Sequence, residues 1–274
     1  MLVPVFVPMH AIHHSKMYLK SEESDLLLHW FIEIGKKGVA YKEPVLGAKT
    51  VRFFKQICEA FEQNTHVFVM TIEVAEEYIR AKKLKKQKIN DPLLAAVTIT
   101  FICHKCEGAR ESLKVKHVVD LLFHFTHKCY NPTQVTAMEG DILVTLNGKL
   151  PITTALDDMD VIIEKYVKET RLKANVRPLC LKILECAYME RNNWFEELKI
   201  IYSQNKECVV VFRHLVSSKF YVPVSILITA IELTHYRHIL DVDTILADVT
   251  KHTKIHQDHL RILVAKMIEI MSYT

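Results

Sequence analysis

Cys103 and Cys106 stand in Cys-His-Lys-Cys, the spacing of one half of a zinc or dithiol site. A structural zinc needs a second pair at a matching distance. Cys58, Cys129, Cys180, Cys186 and Cys208 are too scattered to supply it. On a helix the two thiols are one turn apart, so packing is the expected role. His252, His256 and His259 would form a metal-binding stripe on one continuous helix. The intervening Thr-Lys-Ile-His-Gln-Asp reads as a turn followed by a helix start, which separates the three imidazoles. His10, His13 and His14 fall in the amino-terminal arm and are expected to face solvent. Gly-Ala-Lys-Thr at 47–50 lacks the upstream glycine and preceding strand of a phosphate loop. No HExxH, GxSxG or GxGxxG occurs. The run Lys82, Lys83, Lys85, Lys86 and Lys88 suits either an import signal or a phosphate contact, with a solvated loop as the expectation. These residues imply no enzyme, no cofactor and no metal.

The elements around them read as helices. Six glycines in 274 residues are about 2%, against a usual share of roughly 7%. Sheets and nucleotide-binding folds use glycine in turns and phosphate loops, so this scarcity points to an all-α chain. Half of the residues are hydrophobic, enough to build a core. The net charge of +4 implies no polyanion by itself. Seven scattered cysteines and no glycosylation sequon suit a reducing compartment. The amino-terminal Met-Leu-Val-Pro-Val-Phe-Val-Pro lacks the basic start of a signal peptide. The longest apolar stretch, 220–233, is interrupted by Pro223, Ser225, Thr229 and Glu232, so no membrane span is expected.

Along the chain, residues 1–20 form an arm, and Ser24 or Asp25 caps a helix through Leu-Leu-Leu-His-Trp-Phe-Ile-Glu-Ile. A helix over 51–62 places Phe53, Ile57, Cys58 and Phe61 on one face. The segment 66–83 begins with a β-like run, but Ile72, Ala75, Tyr78 and Ile79 keep helical spacing, so it reads as helix. Pro92 opens a helix that is apolar nearly all round, the mark of a bundle centre. Two more helices follow, the second with Val135, Met138, Ile142 and Leu146 in one stripe. Pro151 begins a second series with its own very apolar helix near 222–236 and a loop expected at Glu207–Ser218.

Two spans, Ala-Ala-Val-Thr-Ile-Thr-Phe-Ile-Cys-His-Lys-Cys-Glu-Gly and Gln-Val-Thr-Ala-Met-Glu-Gly-Asp-Ile-Leu-Val-Thr-Leu, resemble the third and fifth helices of a cyclin box. Glu-Val-Ala-Glu-Glu-Tyr-Ile is similar to the second, with Glu76 where the family has aspartate. The resemblance implies two tandem five-helix cyclin-box bundles with an N-terminal helix. Their expected bounds are 1–44 for arm and helix, 45–150 for the first box and 151–274 for a degenerate second box. It also implies a cyclin-dependent kinase as partner, contacted through Lys105, Glu107 and Glu139, and a structural ion pair between Arg52 and Glu76. The first-half pattern is most similar to a divergent branch of cyclins acting in meiotic crossover maturation, which implies a nuclear, chromosome-associated protein. The alternative is a kinase-independent scaffold for recombination or clamp-loading factors. Direct nucleic-acid binding is not expected. The first-helix stripe by which cell-cycle cyclins dock substrates is not matched by Val-Arg-Phe-Phe-Lys-Gln-Ile-Cys-Glu-Ala-Phe, so substrate docking is not implied.

Overall fold

The computed structural model describes residues 42–108, 113–151 and 153–273; the expected arm and helix before residue 42 lie outside them. Twelve α-helices and two short 3-10 turns make up the secondary structure of these residues, with no strand among them.

The first five helices are α1 (Ala48–Ala60), α2 (Thr65–Leu84), α3 (Pro92–Glu107), α4 (Val115–Thr126) and α5 (Pro132–Thr145). Helix α3 is the axis of this half and packs against the other four. Its start is set by Asp91, whose carboxylate accepts from Leu94 N, and by Pro92 in the first turn. It ends at Gly108 in the left-handed conformation, φ 66°. Eleven consecutive residues, Leu94–His104, are buried, as an all-round apolar helix requires. Helix α5 starts on a capping box in which Asn131 and Gln134 satisfy each other's backbone N–H groups. The β-like run at 67–72 is helical because each of its residues is buried within α2, so packing overrides propensity.

The second half contains α6 (Ala155–Tyr166), α7 (Thr170–Met189), α8 (Arg191–Ile201), α9 (Lys206–Val216), α10 (Tyr221–Glu232), α11 (Val242–Thr253) and α12 (Gln257–Ser272). Helix α10 is its axis, packed against α12, α6 and α7. This half holds seven helices, α10 included, where five were expected. One of the additions is α9, which replaces the loop expected over Glu207–Ser218. Asn205 caps it by accepting from Cys208 N, and Phe212 and Leu215 are its buried residues.

Polar contacts weld the halves together. Glu185 of α7 receives Thr65 Oγ1 at 2.6 Å and Lys55 Nζ at 2.9 Å. Tyr188 donates its hydroxyl to Glu73 at 2.8 Å. Burial pushes the Glu73 carboxyl up, and the Tyr188 hydrogen bond opposes that shift.

Candidate functional site

Lys105 sits in the last turn of α3, where a cation favours the negative helix end. Its ammonium lies 4.5 Å from the centroid of the Phe101 ring one turn back, and Phe101 is itself buried. From there the ammonium reaches Glu139 of α5 and donates a hydrogen bond to its carboxylate. Two residues 34 apart in sequence are thereby joined at one edge of the first bundle. The pair faces outward, with Lys105 42% and Glu139 19% exposed. A charged pair held on an apolar ring at the rim of two packed helices offers both a donor and an acceptor to an incoming backbone.

The surface beside Glu139 is shallow. Ala137, Gly140 and Val144 lie on the outer face of α5, and a Cβ at Gly140 would meet nothing within 4 Å. Glycine here is not demanded by packing against the chain itself. Without a side chain at this position the wall of α5 is low beside Glu139.

Glu107 does not join this edge. Two helical steps turn it about 200° from Lys105, and it is bonded to Nδ1 of His66. His66 Nε2 lies 3.2 Å from Asp157 at the start of α6. Hydrogen bonds to Asp157 and Glu107 raise the His66 imidazole to about 10, against the opposing effect of burial. The imidazolium therefore pins α2, α3 and α6 together. Nothing in the sequence pattern around His66 singled it out, because its acids lie 41 and 91 residues away.

The expected Arg52–Glu76 ion pair is corrected by the structure. Arg52 is largely exposed and pairs with Glu190 at the end of α7. Glu76 is buried and takes its cations from elsewhere. Arg80, one turn on in α2, bonds to it at 2.9 Å, and Arg191 at the start of α8 reaches it at 3.2 Å. The amides of Val45 and Leu46 also donate to the Glu76 carboxylate, at 2.9 and 3.4 Å. The longer side chain of glutamate carries the carboxylate toward the second half, where Arg191 waits. Arg52, at the exposed side of α1, faces a different acid.

Of the cysteine pair, for which packing was expected, only Cys103 is packed, and the three histidines fall on two helices and the turn between them. Cys103 is fully buried and Cys106 exposed. His252 closes α11 and bonds back to Asp248, while His256 caps α12 and His259 accepts from or donates to Tyr202 OH at 2.7 Å. No group of three or more metal-ligating side chains is gathered among the described residues. A cavity of about 650 Å³ opens between the ends of α1 and α3 and the outer face of α4. His104 on its wall is engaged at both ring nitrogens, by Gln63 at 2.7 Å and by the Leu113 amide at 3.1 Å. No single helix among the described residues is long and apolar enough to cross a membrane.

No curated protein matches the chain. Residues 43–151, which contain α1 to α5 and with them Lys105 and Glu139, match the family model described as Cyclin, N-terminal domain.

Proposed function

We propose that the protein is a regulatory subunit that binds a cyclin-dependent kinase through the edge formed by Lys105 and Glu139. The observation that carries this reading is the contact between those two side chains, on adjacent helices within the span matched to the cyclin N-terminal domain. Cyclin domains generally bind such kinases. In that role Lys105 and Glu139 hydrogen-bond backbone groups beside the kinase's regulatory helix. The low wall at Gly140 lets that backbone come close. Seating the helix inward sets its glutamate against the kinase's catalytic lysine. The phosphoryl chemistry belongs wholly to the kinase. An interface of this kind buries on the order of 1,600 Å². The setting we propose is the nucleus, in meiotic crossover maturation, which rests on the sequence resemblance.

The test uses the double exchange Lys105→Glu with Glu139→Lys. The exchange preserves an ion pair between positions 105 and 139, so the fold keeps its own contact. It inverts what the pair presents to a partner. Affinity capture from germline extract is expected to lose the kinase while circular dichroism stays unchanged. Undiminished kinase capture overturns the reading. Capture of recombination or clamp-loading factors without any kinase, by the unaltered protein, replaces it with the scaffold reading.

A further inference from the structure

The basic run at 82–88 is not a uniform solvated loop. Lys82 and Lys83 belong to the last turn of α2. Lys82 is buried, lies 5.4 Å from the Tyr78 ring centroid and bonds Asp141 of α5 at 2.7 Å. Tyr78 donates its hydroxyl to the same carboxylate at 2.6 Å. Burial draws the Asp141 carboxyl up, but the hydrogen bonds from Lys82 and Tyr78 together outweigh it and leave it lowered. One lysine of the run is therefore an internal strut between α2 and α5.

The others face outward on a fixed frame. Past α2 the chain closes a turn, with Lys86 at φ 53° and the Lys86 and Gln87 amides bonded to the carbonyls of Lys83 and Lys82. Lys85 Nζ reaches the carbonyl of Thr145 at 3.5 Å and so ties this turn to the end of α5. Lys83, Lys85, Lys86 and Lys88 are exposed, and so is Lys149 in the turn after α5. Residues 81–90 and 142–151 contain six lysines and no carboxylate. No acid is paired with Lys83, Lys86 or Lys88 among the described residues. Proximity to two helix ends accounts for lysines in the last turns. It does not account for Lys88, which lies beyond the turn. Nor does it account for the two apolar side chains among them, Leu84 at 84% and Val144 at 74% exposure.

We propose that the surface where α2 and α5 end is a docking site for an acidic protein segment that carries an apolar side chain. Charge complementarity names the acidic partner: clustered, unpaired ammonium groups attract carboxylates over roughly a Debye length of 8 Å. The apolar residues choose protein over nucleic acid. A phosphate backbone would leave Leu84 and Val144 idle. The two stretches also hold no aromatic ring on which a base could stack and no arginine to grip a phosphate bidentately. An acidic amphipathic helix or strand uses both features at once. Asp141 stands two helical steps, about 200°, round α5 from Glu139, so the strut points away from the Lys105–Glu139 edge, and exposed Val144 borders both surfaces.

The experiment uses the full chain and three probes labelled with a fluorophore. These are a peptide of alternating glutamate and leucine clusters, the same peptide with serine for leucine, and a DNA duplex of about 20 base pairs. Fluorescence anisotropy is expected to show binding of the leucine peptide that weakens at least about tenfold in Lys83→Glu/Lys86→Glu/Lys88→Glu. A several-fold loss is expected in Leu84→Ser, whose side chain has no packing role to disturb the fold. Thermal melts of both variants check that they are folded. Equal binding of the serine peptide, tighter binding of the duplex with no dependence on Leu84, or no binding of the leucine peptide at about 1 mM each overturns the proposal.

Discussion

Arg191→Ala should destabilise the protein far more than Arg52→Ala, although both remove an arginine paired with a glutamate. The difference follows from what each removal leaves behind. Arg52 is 58% exposed and its partner Glu190 22%. A pair so open to water contributes about 0–1 kcal/mol. Arg191 is 25% exposed, its guanidinium lies 5.5 Å from the Tyr188 ring centroid, and its partner Glu76 is 4% exposed. Removing it strips a charge-assisted hydrogen bond from a buried carboxylate, worth about 1.5–3 kcal/mol. The cost stays below the roughly 3–5 kcal/mol of an orphaned buried charge, because Arg80 and two backbone amides still hold Glu76. With a urea slope of about 3 kcal/mol/M, a loss of ~2 kcal/mol moves the unfolding midpoint by ~0.7 M. Arg52→Ala should move it by less than ~0.3 M. A double-mutant cycle of Arg191→Ala with Glu76→Gln should return a coupling of at least ~1 kcal/mol, and the same cycle with Arg52→Ala close to zero. Equal midpoint shifts for the two arginine variants, or coupling of Glu76 to Arg52 instead, would refute the assignment.

His66→Gln should cost about 2 kcal/mol near neutral pH, because two carboxylates lose their common cation. The folded imidazole titrates near 10, above its unfolded value. Its contribution is therefore complete below about pH 6.5 and disappears as pH rises through about 10. Urea midpoints of the unaltered protein and the variant should converge at the alkaline end and diverge toward neutrality; parallel curves would contradict the pin. Gly140→Ala should stabilise the chain by about 0.5–1 kcal/mol, since an added methyl meets no neighbour and the helix gains propensity. A lowered melting temperature would show that the position is constrained within the chain itself.

Much of the fold is legible in the sequence wherever one helix is apolar on every side. Helices α3 and α10 announce themselves as the two axes, because such a segment has nowhere to lie except inside a bundle. Ile57, Cys58 and Phe61 of the expected α1 stripe are buried, with Phe54 rather than Phe53 completing that face, and Pro92 opens α3 as read. Helix α9 does not announce itself: its Val209-Val210-Val211 run is β-branched, and only Phe212 and Leu215 are buried. Of the candidate edge, Lys105 and Glu139 come from the family resemblance, and their contact is geometry that spacing alone does not supply. Arg191 and His66 were hidden for one physical reason. Their partners are brought near by tertiary packing across 115 residues in one case and across 41 and 91 in the other. A one-dimensional pattern of periodicity carries no record of such pairings.

The anchoring of Glu76 by Arg191 has a consequence for how the chain can vary. The residues matched to the cyclin N-terminal domain end at 151, yet the counter-charges and hydroxyl that settle Glu73, Glu76, Lys55 and His66 are supplied by Tyr188, Arg191, Glu185 and Asp157. A premature stop after residue 151 would spare every position of that match, yet take Tyr188 from Glu73 and one partner each from Glu76, Lys55 and His66. A substitution at 73 or 76 is therefore felt at 188 or 191 as well, which couples the second half of the chain to the first.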